Sequence, residues 1–291
     1  MDITLKKWMM LLLTTLLATV LVACNEKAEP TEGTEKEEES ELTAEEVYTK
    51  ALEASEKMES AEVDMKLEQQ ISSEADGVAM DTESDFTTKM TLDPLATHLK
   101  GTTKMNMAGT ENLPAMEMEM YLVDNAMYVF SDQMGQWMKM EGASMEMIQQ
   151  MAGQQPDPSQ QLKMLKDYAD QLSFEQSSDE FILKLKADGE KFNELIQEML
   201  KEQMPPELMQ EMGEEEQQAI EDMKVNSMSF ELYLDKETYQ MNKFNMDMDM
   251  TMQPEGDAIN IVQKVDSTYS NINSIDKIEV PEEVKNDAVV Q

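Results

Sequence analysis

The chain has 291 residues, 61 acidic against 23 basic side chains, a net charge of −38 and 31 methionines, while aromatic residues make up only 5%. Every basic residue is lysine. A surface this acidic repels nucleic-acid phosphate, which proteins hold with basic patches, and it repels anionic lipid headgroups as well.

Residues 1–23 form a targeting segment that stands outside the fold. Lys6 and Lys7 supply a positive start, and Trp8 to Val22 form an apolar run broken only by Thr14, Thr15 and Thr19. A bilayer core needs about 20 apolar residues to span, and Trp8 to Ala23 provides 16. The run ends in Leu21-Val22-Ala23-Cys24, which matches the lipobox of bacterial lipoprotein signal peptides. There a small residue precedes the cut and the cysteine carries the lipid. The match implies a diacylglyceryl thioether on Cys24, hence two acyl chains, where one chain alone anchors only marginally. Cys24 is the single cysteine, so none remains for a disulfide, a cluster or a thiol nucleophile.

Residues 24–42 read as the lipidated cysteine and an acidic tether. Asn25 to Leu42 holds eight glutamates and almost nothing apolar, too little to bury a core. As a random coil it would span about 20–25 Å and hold the folded part clear of the membrane. Thr43-Ala44-Glu45-Glu46 has the spacing of a capping box, and Val47, Ala51, Ala54 and Met58 recur at helical spacing, predicting a helix over 44–59.

The period then changes to two. Val63, Met65, Leu67 and Ile71 alternate with charged residues over 61–71, and Met80, Phe86 and Met90 do so over 80–90. Leu95, Leu99, Met105 and Met107 oppose His98, Lys100 and Lys104 over 95–107, and Met116, Met118, Met120 and Leu122 oppose Glu117 and Glu119 over 116–122. Short strands near 126–130 and 136–140 follow. Helices are predicted at 143–151 and 159–171 around Pro156-Asp157-Pro158, then strands at 172–176 and 180–187. A helical insert over 189–223, interrupted at Pro205-Pro206, is expected to act either as a lid or as a fixed helix pair. Three long strands close the chain at 225–234, 238–252 and 258–271; the second carries Met246, Met248, Met250 and Met252 against Asp247 and Asp249. The tail, Ile278 to Val284, reads as extended and turning at Pro281.

Such alternation marks an antiparallel sheet with one buried and one wet face. The expected class is α+β: one domain over 43–291, a curved antiparallel sheet of about eleven strands, an incomplete β-barrel, with helices covering its concave face. An edge-rich sheet of this length needs closure or strong curvature.

The lipobox, the acidic tether, the helix ending in Met58-Glu59-Ser60, the hairpin from Asn125 to Lys139 and the closing Ile278-Glu279-Val280-Pro281-Glu282-Glu283-Val284 together resemble the LolA/LolB and LppX/LprG-like lipoprotein superfamily, and within it a Gram-positive lipoprotein branch. The resemblance implies a half-barrel around a hydrophobic cavity that can hold lipid. None of these segments is a catalytic motif.

The methionine rows admit three readings. They are filled core, a soft wall for a greasy ligand, or thioether ligands for Cu(I). Copper is disfavoured because no second cysteine exists and His98 sits on the polar face of its strand. His98 lacks a partnered nucleophile, no G-x-S-x-G, H-E-x-x-H or P-loop occurs, and Asp247-x-Asp249 lies mid-strand rather than in a calcium loop. The expectation is a monomeric, non-enzymatic lipoprotein without metal or cofactor, anchored to the cell membrane on its extracytoplasmic side. It would bind an apolar ligand, a lipid or lipidated molecule, through Met65, Leu67, Phe86, Leu99, Met105, Met118, Met120, Met246, Met248 and Met250. The competing class is a non-enzymatic envelope interaction protein with a filled core.

Overall fold

A computed structural model describes residues 28–31, 42–73, 77–109, 114–142, 173–188, 193, 223–253 and 258–290. Thirteen strands form one open, curved sheet. In chain order they are β1 (Glu29–Pro30), β2 (Ser60–Ser73), β3 (Val78–Leu92), β4 (Leu95–Met107), β5 (Met116–Val123), β6 (Ala126–Ser131), β7 (Met138–Met140), β8 (Ser173–Gln176), β9 (Glu180–Asp188), β10 (Lys224–Asp235), β11 (Met241–Met252), β12 (Ile259–Ser270) and β13 (Val289–Val290). Helices α1 (Ala44–Ser55) and α2 (Glu282–Asp287) complete the described elements. Across the sheet the order is β1-β8-β9-β10-β11-β12-β2-β3-β4-β5-β6-β7-β13. Every pairing is antiparallel except at the two edges, where β1 lies parallel to β8 and β13 parallel to β7.

The eleven expected strands are present with ends shifted by no more than a few residues. The two additional strands are two-residue pieces from the ends of the chain, too short to show any periodicity. Each covers an edge that would otherwise offer unpaired backbone groups. One of them corrects the reading of the tether, because Ala28 is buried at 2% exposure and Glu29 and Pro30 pair with Glu175 and Gln176. The predicted helices at 143–151 and 159–171, and the insert 189–223 apart from Asn193 and Met223, lie outside the described residues.

Register carries one face across the sheet. Leu185, Phe230, Met246, Val265, Leu67, Ser84, Thr103 and Met116 follow each other on neighbouring strands. Directly alongside, on the other face, run Lys184, Glu231, Asn245, Asp266, Lys66, Asp85, Thr102 and Glu117. The first is the methionine face, the second the polar face.

α1 begins as the capping box predicts. The Thr43 hydroxyl accepts from Glu46 N at 3.2 Å, and Thr43 N donates to the Glu46 carboxylate at 2.9 Å. It ends at Ser55 rather than 59, because the chain must turn there to enter β2. Its stripe of Val47, Tyr48 and Ala51 packs on the methionine face against Phe174, Phe181, Leu183, Leu185, Phe230, Leu232 and Leu234. The C-terminal tail does the reverse. Ile278, Val280 and Val284 of α2 and the segment before it pack with Ala96, Tyr121 and Tyr128 on the polar face. Among the described residues α1 covers the methionine face as expected, and the short α2 adds cover on the polar face. The reason is that β4 to β6 carry Ala96, Tyr121 and Tyr128 at positions whose parity points away from the methionines.

The strands end at two rims. The α1 rim holds Ser60, Leu92, Val123, Glu180, Asp235, Met241 and Ser270; the far rim holds Ser73, Met107, Asp188, Lys224, Met252 and Ile259. Asp124 and Asn125 turn the chain between β5 and β6 with φ of 52° and 59°, the left-handed pair a tight type I′ hairpin needs. In mid-sheet, Gly101 faces Phe86. A Cβ there would collide with the Asp85 carbonyl and lie 2.5 Å from the Phe86 ring. The Phe86 ring thus covers a position that only glycine can occupy.

Candidate functional site

The strand pairings gather all ten expected ligand-facing residues on the methionine face. Met65 lies opposite Phe86, whose other neighbour Gly101 lies opposite Met118. Leu67 and Met246 flank Val265 from either side. Leu99 faces Met120, and Met105 faces Thr82. Met248 faces Met228 and Gln263, and Met250 faces Ile261, which continues through Ile71 and Met80 to Met107. A one-residue slip in any strand would have sent its row to the other face. Further methionines join the patch from β6 and β7, where Met127 opposes Met140 and Val129 opposes Met138.

Every one of the ten is half-buried, neither sealed nor free. This contrasts with Leu183, Leu185, Phe230, Leu232 and Leu234 on the same face under α1, all at 2% exposure or less. A small apolar cavity of about 30 Å³ lies under the end of α1, lined by Ala51, Ala54, Met58, Leu234, Met241 and Tyr269 among others. It has room for about one water, and none of the ten residues lines it. Burial pushes the Tyr269 hydroxyl above its ordinary value. Tyr48, also in the α1 core, is raised by burial too, and its hydroxyl finds no partner among the described residues.

The polar face holds a cluster that strand periodicity alone did not reveal. Its place on a wet strand face would by itself leave His98 to solvent. Instead its Nε2 lies 2.9 Å from Glu119 Oε1 and its ring stacks on Tyr121 with centroids 4.1 Å apart and planes 5° apart. The Tyr121 hydroxyl donates to the same carboxylate oxygen at 3.0 Å, and Lys100 Nζ approaches Glu119 Oε2 at 3.4 Å. Burial pushes Glu119 up, but the hydrogen bonds from His98 and Tyr121 and the Lys100 charge outweigh it and hold the carboxyl below its usual value. Tyr121 is pushed up to about 12 by burial, reinforced by Glu119. An open groove of about 470 Å³ is lined by His98 and Tyr121 together with Ile278 and Glu279 of the C-terminal tail. The signal in the sequence was the register, since His98 on β4 stands opposite Tyr121 on β5, but residues 23 apart disclose that only once the hairpin is paired. The cluster contains an ion pair and a stacked ring, with no nucleophile held by a base.

Among solved structures the chain is similar to LprF from Mycobacterium bovis, at 12% identity, covering 82% of this chain and 96% of that one with a TM-score of 0.40. It is also similar to a beta-barrel-like DUF1849 protein from Brucella abortus (9% identity, 73% and 99% covered, TM-score 0.23) and to a DUF1329 family protein from Desulfovibrio piger (8% identity, 80% and 93% covered, TM-score 0.22). No curated protein matches the chain. The profile of the family of unknown function DUF6612 matches residues 43–289, from the N-cap of α1 to the first residue of β13, and the chain belongs to that family.

Proposed function

We propose that the protein is an extracytoplasmic lipoprotein, anchored to the cell membrane through diacylglyceryl on Cys24, whose methionine face shelters an apolar ligand, a lipid or lipidated molecule. One observation carries the reading: a face rich in half-buried thioether and aliphatic side chains, interrupted by Ser84, Thr103 and Gln263, runs from β11 to β7 beside the part that α1 seals. Apolar surface gathered on one face in this way marks a binding site more often than a bare exterior. Methionine suits it, since an unbranched, polarisable chain re-packs around acyl groups of varied shape. Binding is partition, in which acyl surface leaves water at about 25 cal/mol per Å², and no bond is made or broken. The resemblance of the lipobox, opening helix and closing segment to LolA/LolB and LppX/LprG-like lipoproteins agrees with this reading.

Native mass spectrometry of the chain from Asn25 onward, which keeps the Ala28–Thr31 segment, tests it. The expected result is a population carrying added lipid mass, lost on delipidation and regained with phospholipid. A clean apo mass without any delipidation step, and no uptake of phospholipid, would overturn it. That outcome supports the second reading, an envelope interaction protein with a filled core, which is favoured by the small size of the cavity under α1.

A further inference from the structure

We infer that the methionine rows are a redox-modification site: an oxidant of the peroxide class converts their sulfurs to sulfoxides, which turns the apolar face polar and releases its ligand while the described fold stays in place. The release rests on the lipid-binding reading above. The sulfur chemistry and the survival of the fold do not.

The sorting of residue types carries the inference. Methionine is ordinarily among the residues most often sealed inside a protein. Twenty of the 31 methionines fall among the described residues, and all of these but Met223 are half-buried or exposed. Met107 and Met134 stand at 43% and 37% exposure. The buried members of both hydrophobic cores, by contrast, contain no sulfur. Under α1 they are alanine, valine, tyrosine, phenylalanine and leucine, and under the C-terminal tail they are alanine, tyrosine, isoleucine and valine. Methionine reaches the first core only at its border, through Met228, Met241 and Met246. A soft ligand wall accounts for methionine in the rows, but not for Met134 in the exposed turn between β6 and β7.

Thioether chemistry gives that sorting a consequence. A sulfur lone pair attacks one peroxide oxygen, so that an S–O bond forms and the O–O bond breaks. The departing hydroxide takes up the proton left on the transferred oxygen and leaves as water. Sulfur gives up two electrons and the peroxide accepts them. The product is a polar, chiral sulfoxide, which disrupts methionine-rich contacts. No free thiol competes, since Cys24 is the single cysteine and on the anchor reading is itself a thioether. The rows are dense enough for the changes to combine. Met127 stands opposite Met140, and Met120 and Met138 flank Val129 from either side, with opposed Cβ atoms about 5 Å apart. Each sulfoxide sets a polar S–O group where an acyl chain would lie. Under α1 the same oxidant meets Leu183, Leu185, Phe230 and Leu232, which have no oxidisable atom of this kind. Sulfoxide reductases restore the thioether, so the change is reversible.

The test uses the full chain in a non-ionic detergent, loaded with phosphatidylcholine and treated with graded hydrogen peroxide. Peptide mass mapping should find Met65, Met118, Met120, Met127, Met138 and Met140 oxidised about threefold or more faster than Met223, which is 7% exposed, with the far-UV circular dichroism retained. Rates equal to that of Met223, or a strand signal lost as the rows oxidise, overturn the inference. Native mass spectrometry should show bound phospholipid falling about fivefold or more, and recovering after treatment with methionine sulfoxide reductases and dithiothreitol. Full retention of phospholipid on oxidised rows overturns the release alone. Combining Met118→Leu, Met120→Leu, Met127→Leu and Met140→Leu should blunt the fall, measured against that variant's own starting occupancy. A fall as large as in the parent protein assigns the sensitivity to sulfurs outside these rows and overturns the proposal. Absence of phospholipid before any peroxide refutes the lipid reading and the release with it, and the oxidation rates then decide the modification by themselves.

Discussion

The two halves of the methionine face are built on the same alternation and filled differently. Over β8 to β10 the inward residues are Phe174, Phe181, Leu183, Leu185, Phe230, Leu232 and Leu234, buried beneath Val47, Tyr48 and Ala51. From β11 through β12 and β2 to β7 they are mostly methionine, isoleucine, valine and threonine, largely half-buried. Leucine and phenylalanine fill a defined space in few rotamers, whereas methionine accommodates a surface whose occupant varies. The difference teaches that one half of the face is packed to hold the fold together, while the other is packed more softly.

The comparison can be broken by substitution. Phe230→Ala should have the largest effect, destabilising by about 3–5 kcal/mol, because its site is fully packed and a cavity remains. Met248→Ala, its counterpart in the soft half, should cost about 1 kcal/mol, since much of its surface already meets solvent. Equal costs in urea titrations of the two variants would show that both halves are core. Gly101→Ala should come next, at about 1–3 kcal/mol or more, from overpacking against the Asp85 backbone and the Phe86 ring; a shift of the urea midpoint reads this directly, and an unchanged midpoint would mean that β3 and β4 can move apart.

Met118→Glu combined with Met250→Glu should weaken binding of a fluorescent phospholipid about tenfold or more, a loss of about 1.4 kcal/mol per decade, with little change in the far-UV circular dichroism. Unaltered affinity would place the ligand elsewhere. The smallest effect concerns the polar face. Tyr121 is raised from 10.0 to about 12, so the fold favours its protonated form. That contribution is complete below pH 10 and is lost as pH rises through about 12. Glu119 is depressed, so its contribution is present above the ordinary carboxylate range and is lost as pH falls through its lowered value. Urea midpoints followed against pH should fall at both extremes, and Tyr121→Phe should remove its share of the alkaline fall. An identical alkaline profile in that variant would assign the loss to the other raised tyrosines, Tyr48, Tyr233 and Tyr269.

Much of this architecture is local and therefore legible. The capping box at Thr43, the onset of α1 and the bounds of the eleven longer strands follow from side-chain period and from turn chemistry, both of which act over a few residues. The ten candidate ligand residues share a face for the same reason, since alternate residues point one way and register keeps them aligned. The hidden parts are those that depend on partners far along the chain. The capture of Glu29 and Pro30 by β8 joins residues 146 positions apart, and neither segment advertises the other.

From the amino-acid order alone come the expected lipid site at Cys24, the two-residue period, the acid-rich exterior and the apolar row on each strand. Each is a property of a short window whose backbone geometry is known beforehand. The tertiary structure decided which strands became neighbours, that α1 and α2 would cover opposite faces, that His98 would stack on Tyr121 beside Glu119, and that Glu29 and Pro30 would form an edge strand. Those outcomes depend on non-local burial, where the gain from pairing distant segments must exceed the entropy of closing the chain between them, and no local pattern records that balance.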